Sequence, residues 1–413
     1  MNPILPIITG LIVAGNLLHA QEAKLVDEPF LENIRSEAVR NHPAARSASI
    51  RGDAAARDIR GIRLWDDPSV GFTLMAAEKM MRRNEGDIRL GFEQPIPKPG
   101  LYSANISKAE AIERAQWENS RMSALEVGAA AAKDAIELAL VDESISLQIS
   151  QIGWLEAMAE NAREMSLNPD ASSIDALRLE SELAREKQIL KAARRTRDGI
   201  SQSLNLRLGR TLESSWPELK LTLNPTPSPV ASSEIARIPR SNPRVRSMME
   251  MTDAAKADVR IAEAEKTPQF AVGVETGIYS GGDVRSVGVG LKMSLPFFNR
   301  SSYEARIESS QLREKAAVGD VEATRLEVAA DVISAVTEAA NAAAQARAYS
   351  GEIYERARSA TRSIEAAWIS SKSPLTDLLD SNRILFSIRL EQRRFVAMQL
   401  AALEQLNLLV PRR

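Results

Sequence analysis

The chain has 413 residues, with 53 basic and 55 acidic side chains, two histidines and no cysteine. The near balance of charge argues against a nucleic-acid-binding protein, which needs a basic excess or stripe. The lack of cysteine excludes disulfides, thiolate metal sites and a cysteine-linked lipid anchor. We find no phosphate loop, no paired metal-ligand spacing and no nucleophile–base set, so the sequence predicts no catalytic residues, no metal site, no cofactor and no enzyme.

The N-terminal segment, residues 1–20, is predicted to be a secretory signal peptide, because a short apolar run ends in a small residue, Ala20. The segment lacks a Lys or Arg before this run, so a transmembrane anchor or a misassigned start remains an alternative. The rest of the sequence has no run of 18 apolar residues, and we expect no membrane-spanning helix in the mature chain.

The mature sequence is an internal duplication. At an offset of 200, nine of the 26 positions from 43 to 68 recur identically, where chance gives about one or two. The recurring residues are Pro43, Arg46, Ser47, Asp53, Ala54, Ala55, Asp58, Arg60 and Pro68. We therefore predict a first structural repeat over 21–207, a Pro/Ser-rich linker and equatorial segment over 208–240, and a second repeat over 241–413.

In the first repeat, an apolar stripe predicts one helix over 28–64. Strict alternation of apolar with small or polar residues then predicts a β-hairpin over 69–95. Two long helices are predicted next, over 103–166 and 173–208, with a break around Pro169.

The second repeat has the same order, with a β-hairpin predicted over 269–296 and long helices over 303–369 and 375–409. Each strand has about ten residues, which suits a tilted transmembrane strand with one face towards lipid and the other towards a lumen. Four strands cannot close a barrel, and lipid offers no hydrogen bonds to an open edge, so several chains must complete one barrel. A half-buried sheet of a soluble protein gives the same alternation and remains the alternative.

The helix predicted over 303–369 has a heptad seam. Its members are Val328, Val332, Ala335, Ala339, Ala342 and Ala346, spaced alternately by four and three residues. A second stripe lies one residue round the helix and consists of Ile333, Val336, Ala340 and Ala343. Two adjoining stripes let a helix contact neighbours on both sides, as the wall of a tube requires, although the broad face of an ordinary bundle helix has the same period.

The order of helix, β-hairpin and long helical hairpin, present twice, resembles the outer membrane efflux protein (TolC-like) family. Two passages carry most of this resemblance, "SVGVGLKMSLPFFNRSSYEARIESSQ" at 286–311 and "SSKSPLTDLLDSNRILFSIRLEQ" at 370–392. The resemblance covers essentially the whole mature chain. One departure is the absence of the usual glycine in the second helix turn, near Ser370 to Ser373.

The resemblance implies a mainly α-helical fold with a small transmembrane β portion, in which three identical chains build a β-barrel that continues as an α-helical barrel. It implies a location in the outer membrane of a Gram-negative bacterium, in contact with lipid, with a large periplasmic helical portion. It further implies a passive exit duct served by a periplasmic adaptor and an inner-membrane RND-type transporter. The segment "LPFFNR" looks closest to the cobalt-zinc-cadmium subgroup of this family, so divalent metal cations are a candidate cargo. The alternative function is a periplasmic coiled-coil structural or adaptor protein.

Charged residues at the helix turns are candidates for a periplasmic aperture in such a trimer. Asp175, Asp377 and Asp380 begin the return helices, where they favour cations and hold neighbouring chains together through Arg178 or Arg383. Ordinary acidic residues at helix N-termini, stabilised by the macrodipole by about 0.3–1 kcal/mol each, give the same pattern.

Two charged residues in the second hairpin, Glu275 and Lys292, are candidates for the barrel lumen, where charge tunes selectivity. The alternative is that they form one cross-strand pair with each other.

Overall fold

The computed structural model describes residues 23–75, 88–166, 174–222, 238–278 and 284–410. The predicted signal peptide and the predicted helix break around Pro169 lie outside the described residues. In the described ranges, no helix is both long and apolar enough to cross a membrane.

The secondary-structure elements follow the duplicated order of the sequence. In the first half they are β1 (Lys24–Val26), α1 (Glu28–Asn41), α2 (Pro43–Gly61), β2 (Ser69–Leu74), β3 (Ile88–Pro95), α3 (Leu101–Met165) and α4 (Ile174–Arg207). In the second half they are β4 (Leu219–Leu221), α5 (Ile238–Ser241), α6 (Pro243–Glu265), β5 (Phe270–Ile278), β6 (Val284–Met293), a 3-10 turn (Pro296–Asn299), α7 (Arg300–Ser350), α8 (Glu352–Ile369) and α9 (Leu375–Leu409).

The single helix predicted over 28–64 is in fact two helices, α1 and α2, which meet at His42. The backbone of His42 is extended, with φ −72° and ψ 129°, because a proline disfavours the α conformation in the residue before it. Pro43 then occupies the first turn of α2, where its missing N–H costs nothing. The His42 side chain caps α2 by accepting a hydrogen bond from the Ala44 N–H at 3.2 Å.

The helix predicted over 303–369 is likewise two helices, α7 and α8. They meet at Gly351, whose φ of −102° and ψ of −117° are not helical. Glycine is the weakest helix former apart from proline, because it loses the most backbone freedom on ordering. The interruption therefore falls at the residue that most readily leaves the helix.

The two hairpins, one from each half, join in a single antiparallel sheet of order β2-β3-β5-β6. One apolar row crosses all four strands, from Val70 through Phe92 and Val274 to Val289, each opposite the next. This face is open to the surroundings, since Val70 is 77% and Val289 85% exposed. Among the described residues, β2 and β6 are edge strands, each with one neighbour.

A second, two-stranded sheet is formed by β1 and β4, which pair in parallel. Val26, Leu219 and Leu221 of these strands are buried in the largest apolar cluster that the described residues form. The segment after residue 208 therefore returns to the helical body, where it packs beside α1.

The long helices lie side by side. α2, α3, α6 and α7 pack in that order, so the helix row follows the strand order of the sheet to which these helices connect. Farther along, α3 packs against α4 and α9, and α9 packs against α7 and α8. With 65 residues, α3 is about 100 Å long.

The predicted heptad seam of α7 is confirmed. All six of its members, Val328, Val332, Ala335, Ala339, Ala342 and Ala346, are buried. The second stripe is only partly covered, because Ala343 is buried whereas Ile333 is 53% exposed and Ala340 is exposed.

Candidate functional site

Among the residues that the structure describes, the polar face of the four-stranded sheet carries four charged side chains, here called the sheet quartet: Arg89, Glu93, Glu275 and Lys292. Arg89 Nη1 lies 3.5 Å from Glu275 Oε1. Lys292 Nζ donates a hydrogen bond to Glu93 Oε2. Each positive charge thus faces a negative charge on another strand.

The proposed pairing of Glu275 with Lys292 is wrong. The strand register places Glu275 opposite Gly288 and Lys292 opposite Ala271, four residues apart along the sheet. Each of these residues instead pairs with a β3 side chain that sequence reasoning did not single out. The alternation along β3 nevertheless contained the signal, because Arg89 and Glu93 flank Gly91 at a spacing of two.

Small residues surround the sheet quartet and leave an open trough of about 380 Å³ on this face. Between Glu93 and Lys292, the strand β5 presents Ala271 and Gly273, whose small size gives room for the ion pair to cross above them. A Cβ added at Gly71, Gly91 or Gly290 meets no other atom within 4 Å. The polar face is therefore a shallow, open trough.

A second region, here called the tip cluster, lies where α3 and α8 end and α4 and α9 begin. Its buried apolar side chains include Leu155, Met158, Leu179, Trp368, Leu375 and Leu378. Trp368 is 2% exposed and holds the last turn of α8 against the other three helices.

The turn between α8 and α9 forms without the glycine that is usual at this turn in the family that the sequence resembles. Ser371 adopts the left-handed conformation, with φ 57°. Its N–H donates to the Trp368 carbonyl at 2.8 Å, and the Lys372 N–H donates to the Ala367 carbonyl at 2.8 Å. These two hydrogen bonds satisfy carbonyls that the end of α8 would otherwise leave free.

The predicted aperture residues all lie at the tip cluster, but they do not form one constellation. Asp175 Oδ2 accepts a long hydrogen bond of 3.5 Å from Trp368 Nε1. Asp377 Oδ2 accepts one of 3.3 Å from Ser373 Oγ. Arg178 is exposed and has no ion pair within the described part of the chain.

Arg383 pairs within its own chain. It lies 3.3 Å from Asp380 on the same helix and 2.5 Å from Glu182 on α4. Sequence reasoning missed Glu182, because it sits in the body of a helix, where a carboxylate is usually solvated. An aperture role for these residues stays a prediction.

Away from both regions, Arg35 of α1 holds the buried carboxylate of Glu404 on α9. Arg35 Nη1 donates to both carboxylate oxygens, at 2.6 and 2.8 Å. The Glu404 side chain is 1% exposed, and burial raises its pKa against the opposing effect of Arg35. This pair stabilises the contact between the two helices.

Comparisons with known proteins support the family resemblance. Residues 236–410 match the family model described as outer membrane efflux protein. No curated protein matches the chain. Within the described ranges, no group of three or more His, Asp or Glu side chains is arranged to hold a metal ion.

Solved structures share the fold over more than nine-tenths of the chain. They include the outer membrane protein VceC from Vibrio cholerae, with 16% identity, TM-score 0.77, and 92% of this chain and 95% of that chain covered. The Campylobacter jejuni CmeC outer membrane channel has 14% identity, TM-score 0.72, and coverages of 99% and 94%. CusC has 14% identity, TM-score 0.78, and coverages of 92% and 91%. The predicted fold class, mainly helical with a small sheet portion in a TolC-like architecture, is confirmed.

Proposed function

We propose that this chain is the exit channel of a tripartite efflux pump, because residues 236–410 match the model of the outer membrane efflux protein family. It is an outer-membrane protein with a large helical portion in the periplasm. Three copies join their sheets into one barrel, and their helices extend it towards the inner membrane. A periplasmic adaptor and an inner-membrane RND-type transporter deliver the cargo, and the channel itself catalyses no reaction.

The observation that carries this proposal is the exposed apolar face of the four-stranded sheet. Val70, Val287 and Val289 are 77%, 71% and 85% exposed, and all three lie on the apolar face of the sheet. In water such a face is unfavourable by about 25 cal/mol for each Å² of apolar surface, and soluble monomers rarely expose large apolar patches. Lipid removes this cost.

The edges of the sheet explain why several copies are needed. The outer backbone groups of β2 and β6 have no strand partner among the described residues. Within a bilayer each unpaired group costs several kcal/mol, because lipid provides no hydrogen bonds. Pairing β6 of one copy with β2 of the next satisfies both edges, and a ring of copies leaves none open. A periplasmic coiled-coil or adaptor protein has no need for such a face or such edges.

The polar face then lines the lumen. The sheet quartet supplies two positive and two negative charges, paired with each other, so each copy contributes a nearly neutral wall. This suits a passive duct that accepts cargo selected by the transporter. We place Asp175, Arg178, Asp377, Asp380 and Arg383 at the periplasmic aperture.

The membrane assignment is tested by arginine substitution on the two faces of β6. Val289→Arg puts a charge on the lipid face and is expected to cost about 2–4 kcal/mol, so that little protein reaches the outer membrane. Ser286→Arg, on the polar face, is the matched control and leaves insertion intact. Recovery of the native chain as a soluble monomer, or equal behaviour of the two variants, would contradict the proposal.

The cargo is tested separately, by deleting the gene and measuring sensitivity to a panel of metals, drugs and dyes. Sensitivity to divalent metals alone supports metal export, as the segment "LPFFNR" suggests. Sensitivity to drugs or dyes but not to metals would contradict metal export.

A further inference from the structure

The helix α7 carries a heptad seam that no described residue covers. Its members are Leu312, Ala316, Gly319, Ala323, Leu326, Ala330, Ile333, Thr337 and Ala340, all of them exposed. Leu312, Leu326 and Ile333 are 58%, 65% and 53% exposed. Small residues between larger apolar ones at this spacing are typical of a helix that packs closely along a partner helix.

The duplication shows what covers the same surface in the other half. Aligned at an offset of 201, α3 and α7 share Tyr102/Tyr303, Ala104/Ala305, Ile106/Ile307, Glu113/Glu314, Ala115/Ala316, Leu125/Leu326 and Val127/Val328. On α3 the equivalents of Leu312, Ala316 and Gly319 are Ala111, Ala115 and Glu118, and all three are buried.

The helix that covers this face of α3 is α6. Three ion pairs join the two helices. They are Lys108–Asp258 at 2.7 Å, Arg114–Glu250 at 2.6 Å and Glu118–Arg246 at 2.9 Å. The Glu250 hydrogen bond raises the pKa of Arg114, and the nearby Asp253 carboxylate adds to that rise.

The equivalent of α6 in the first half is α2, at an offset of 200. Arg46, Ile50 and Asp58 occupy the positions by which α6 contacts α3, and all three are exposed. The opposite side of α2, with Ala45 and Ala48, is buried. The surface of α2 that corresponds to the α3-contacting surface of α6 is therefore exposed.

The two exposed surfaces lie at opposite edges of the row of four helices. α2 and α7 are the outer members of the row α2–α3–α6–α7, and they connect to the edge strands β2 and β6. When β6 of one copy pairs with β2 of the next, α7 of the first is brought beside α2 of the second. The sheet edge and the helix seam thus form one continuous surface.

We propose that a second copy of this chain covers the α7 seam with the exposed face of α2, in the arrangement by which α6 covers α3. The packing places Lys315, the equivalent of Arg114, against Asp53 of the neighbouring copy, the equivalent of Asp253. Lys315 and Asp53 are both exposed, and neither forms an ion pair with any described residue. The inference rests on the proposed multi-chain channel. It specifies the helix surfaces and the charged residues through which neighbouring copies meet.

The test uses cysteine pairs, because the natural chain has no cysteine and reagents will attack the introduced ones alone. An ion pair between two side chains holds their Cα atoms farther apart than a disulfide tolerates, so a short bismaleimide replaces the disulfide. The Asp53→Cys/Lys315→Cys chain, purified in detergent, is expected to yield covalently closed trimers on a denaturing gel. The two single-cysteine variants yield none.

The matched control is Asp53→Cys/Glu338→Cys. Glu338 is exposed on the same helix, but it lies 23 residues farther along, or about 35 Å, and no linked trimer is expected. A native trimer in which Asp53→Cys/Lys315→Cys does not link, or links no better than the control, overturns this packing but leaves the channel intact. A folded chain that remains monomeric in detergent overturns the packing and the proposed channel together.

Charge reversal gives a second measurement. Asp53→Lys and Lys315→Asp each are expected to lower the temperature at which the trimer dissociates, and the double reversal is expected to restore it. Helix content measured on the same samples shows that each variant has folded. Equal dissociation temperatures for the single and double variants would contradict the pairing.

Discussion

Replacing Arg35 with methionine is expected to destabilise the helical body by about 3–5 kcal/mol. In the native chain Arg35 makes two hydrogen bonds to Glu404, whose side chain is 1% exposed. Without the guanidinium, this carboxylate stays buried with no opposite charge. Arg35 also pairs with Glu28 and Glu32, but those carboxylates are 52% and 68% exposed, so each pair contributes about 0–1 kcal/mol.

The destabilisation caused by Arg35→Met is expected to be larger at high pH than at low pH. Burial raises the pKa of Glu404 above its ordinary value, and the loss of Arg35 raises it further. In the folded variant the carboxyl group therefore binds a proton at a pH where the unfolded chain does not. Protonation then favours the folded state, so the deficit of Arg35→Met shrinks as the pH falls from about 8 to about 5.

The assay is denaturant unfolding in detergent, followed by helical circular dichroism, for the native chain, Arg35→Met and Arg35→Met/Glu404→Met. The double variant removes both charges and is expected to recover most of the loss, since an apolar pair of similar volume often replaces a buried ion pair without cost. If the single and double variants are equally unstable at both pH values, the buried carboxylate is not the cause.

Three further predictions concern local features. Ser371→Gly relieves a left-handed serine and is expected to raise the free energy of unfolding by about 0.5–1 kcal/mol, measured as a later denaturant midpoint. Gly273→Val is expected to cost about 1–3 kcal/mol, because a Cβ there lies 3.0 Å from a backbone oxygen of the adjacent strand, whereas at Gly290 it meets nothing within 4 Å. Gly290→Val, the control, should therefore melt like the native protein. The Arg210 hydrogen bond lowers the pKa of Glu37 below its ordinary 4.5, so the unfolded chain binds more protons in this range. The stability from this pair is complete above about pH 4.5 and is lost as the pH falls through the folded pKa. Arg210→Met should remove that part of the acid sensitivity in pH-dependent melting.

Local periodicity predicted the elements that depend only on neighbouring residues. The alternation over 269–296 led to strands β5 and β6, and the four-three spacing led to the buried seam of α7. Such patterns are reliable because side chains recur on one face every two residues in a strand and every 3.6 in a helix. The breaks at His42 and Gly351 were missed, although Pro43 was a visible signal, because a continuing apolar stripe concealed them.

The sequence by itself therefore determined that the chain is duplicated, that its helices are long and that its strands have one apolar and one polar face. Only the tertiary structure decided the partners. Arg35 meets Glu404 across 369 residues and Lys292 meets Glu93 across 199, and strand β1 pairs with β4. The physical reason is that periodicity is set by backbone geometry within a few residues. Which charges meet depends instead on how distant helices and strands are brought side by side, and many acidic and basic residues in the sequence are equally plausible partners.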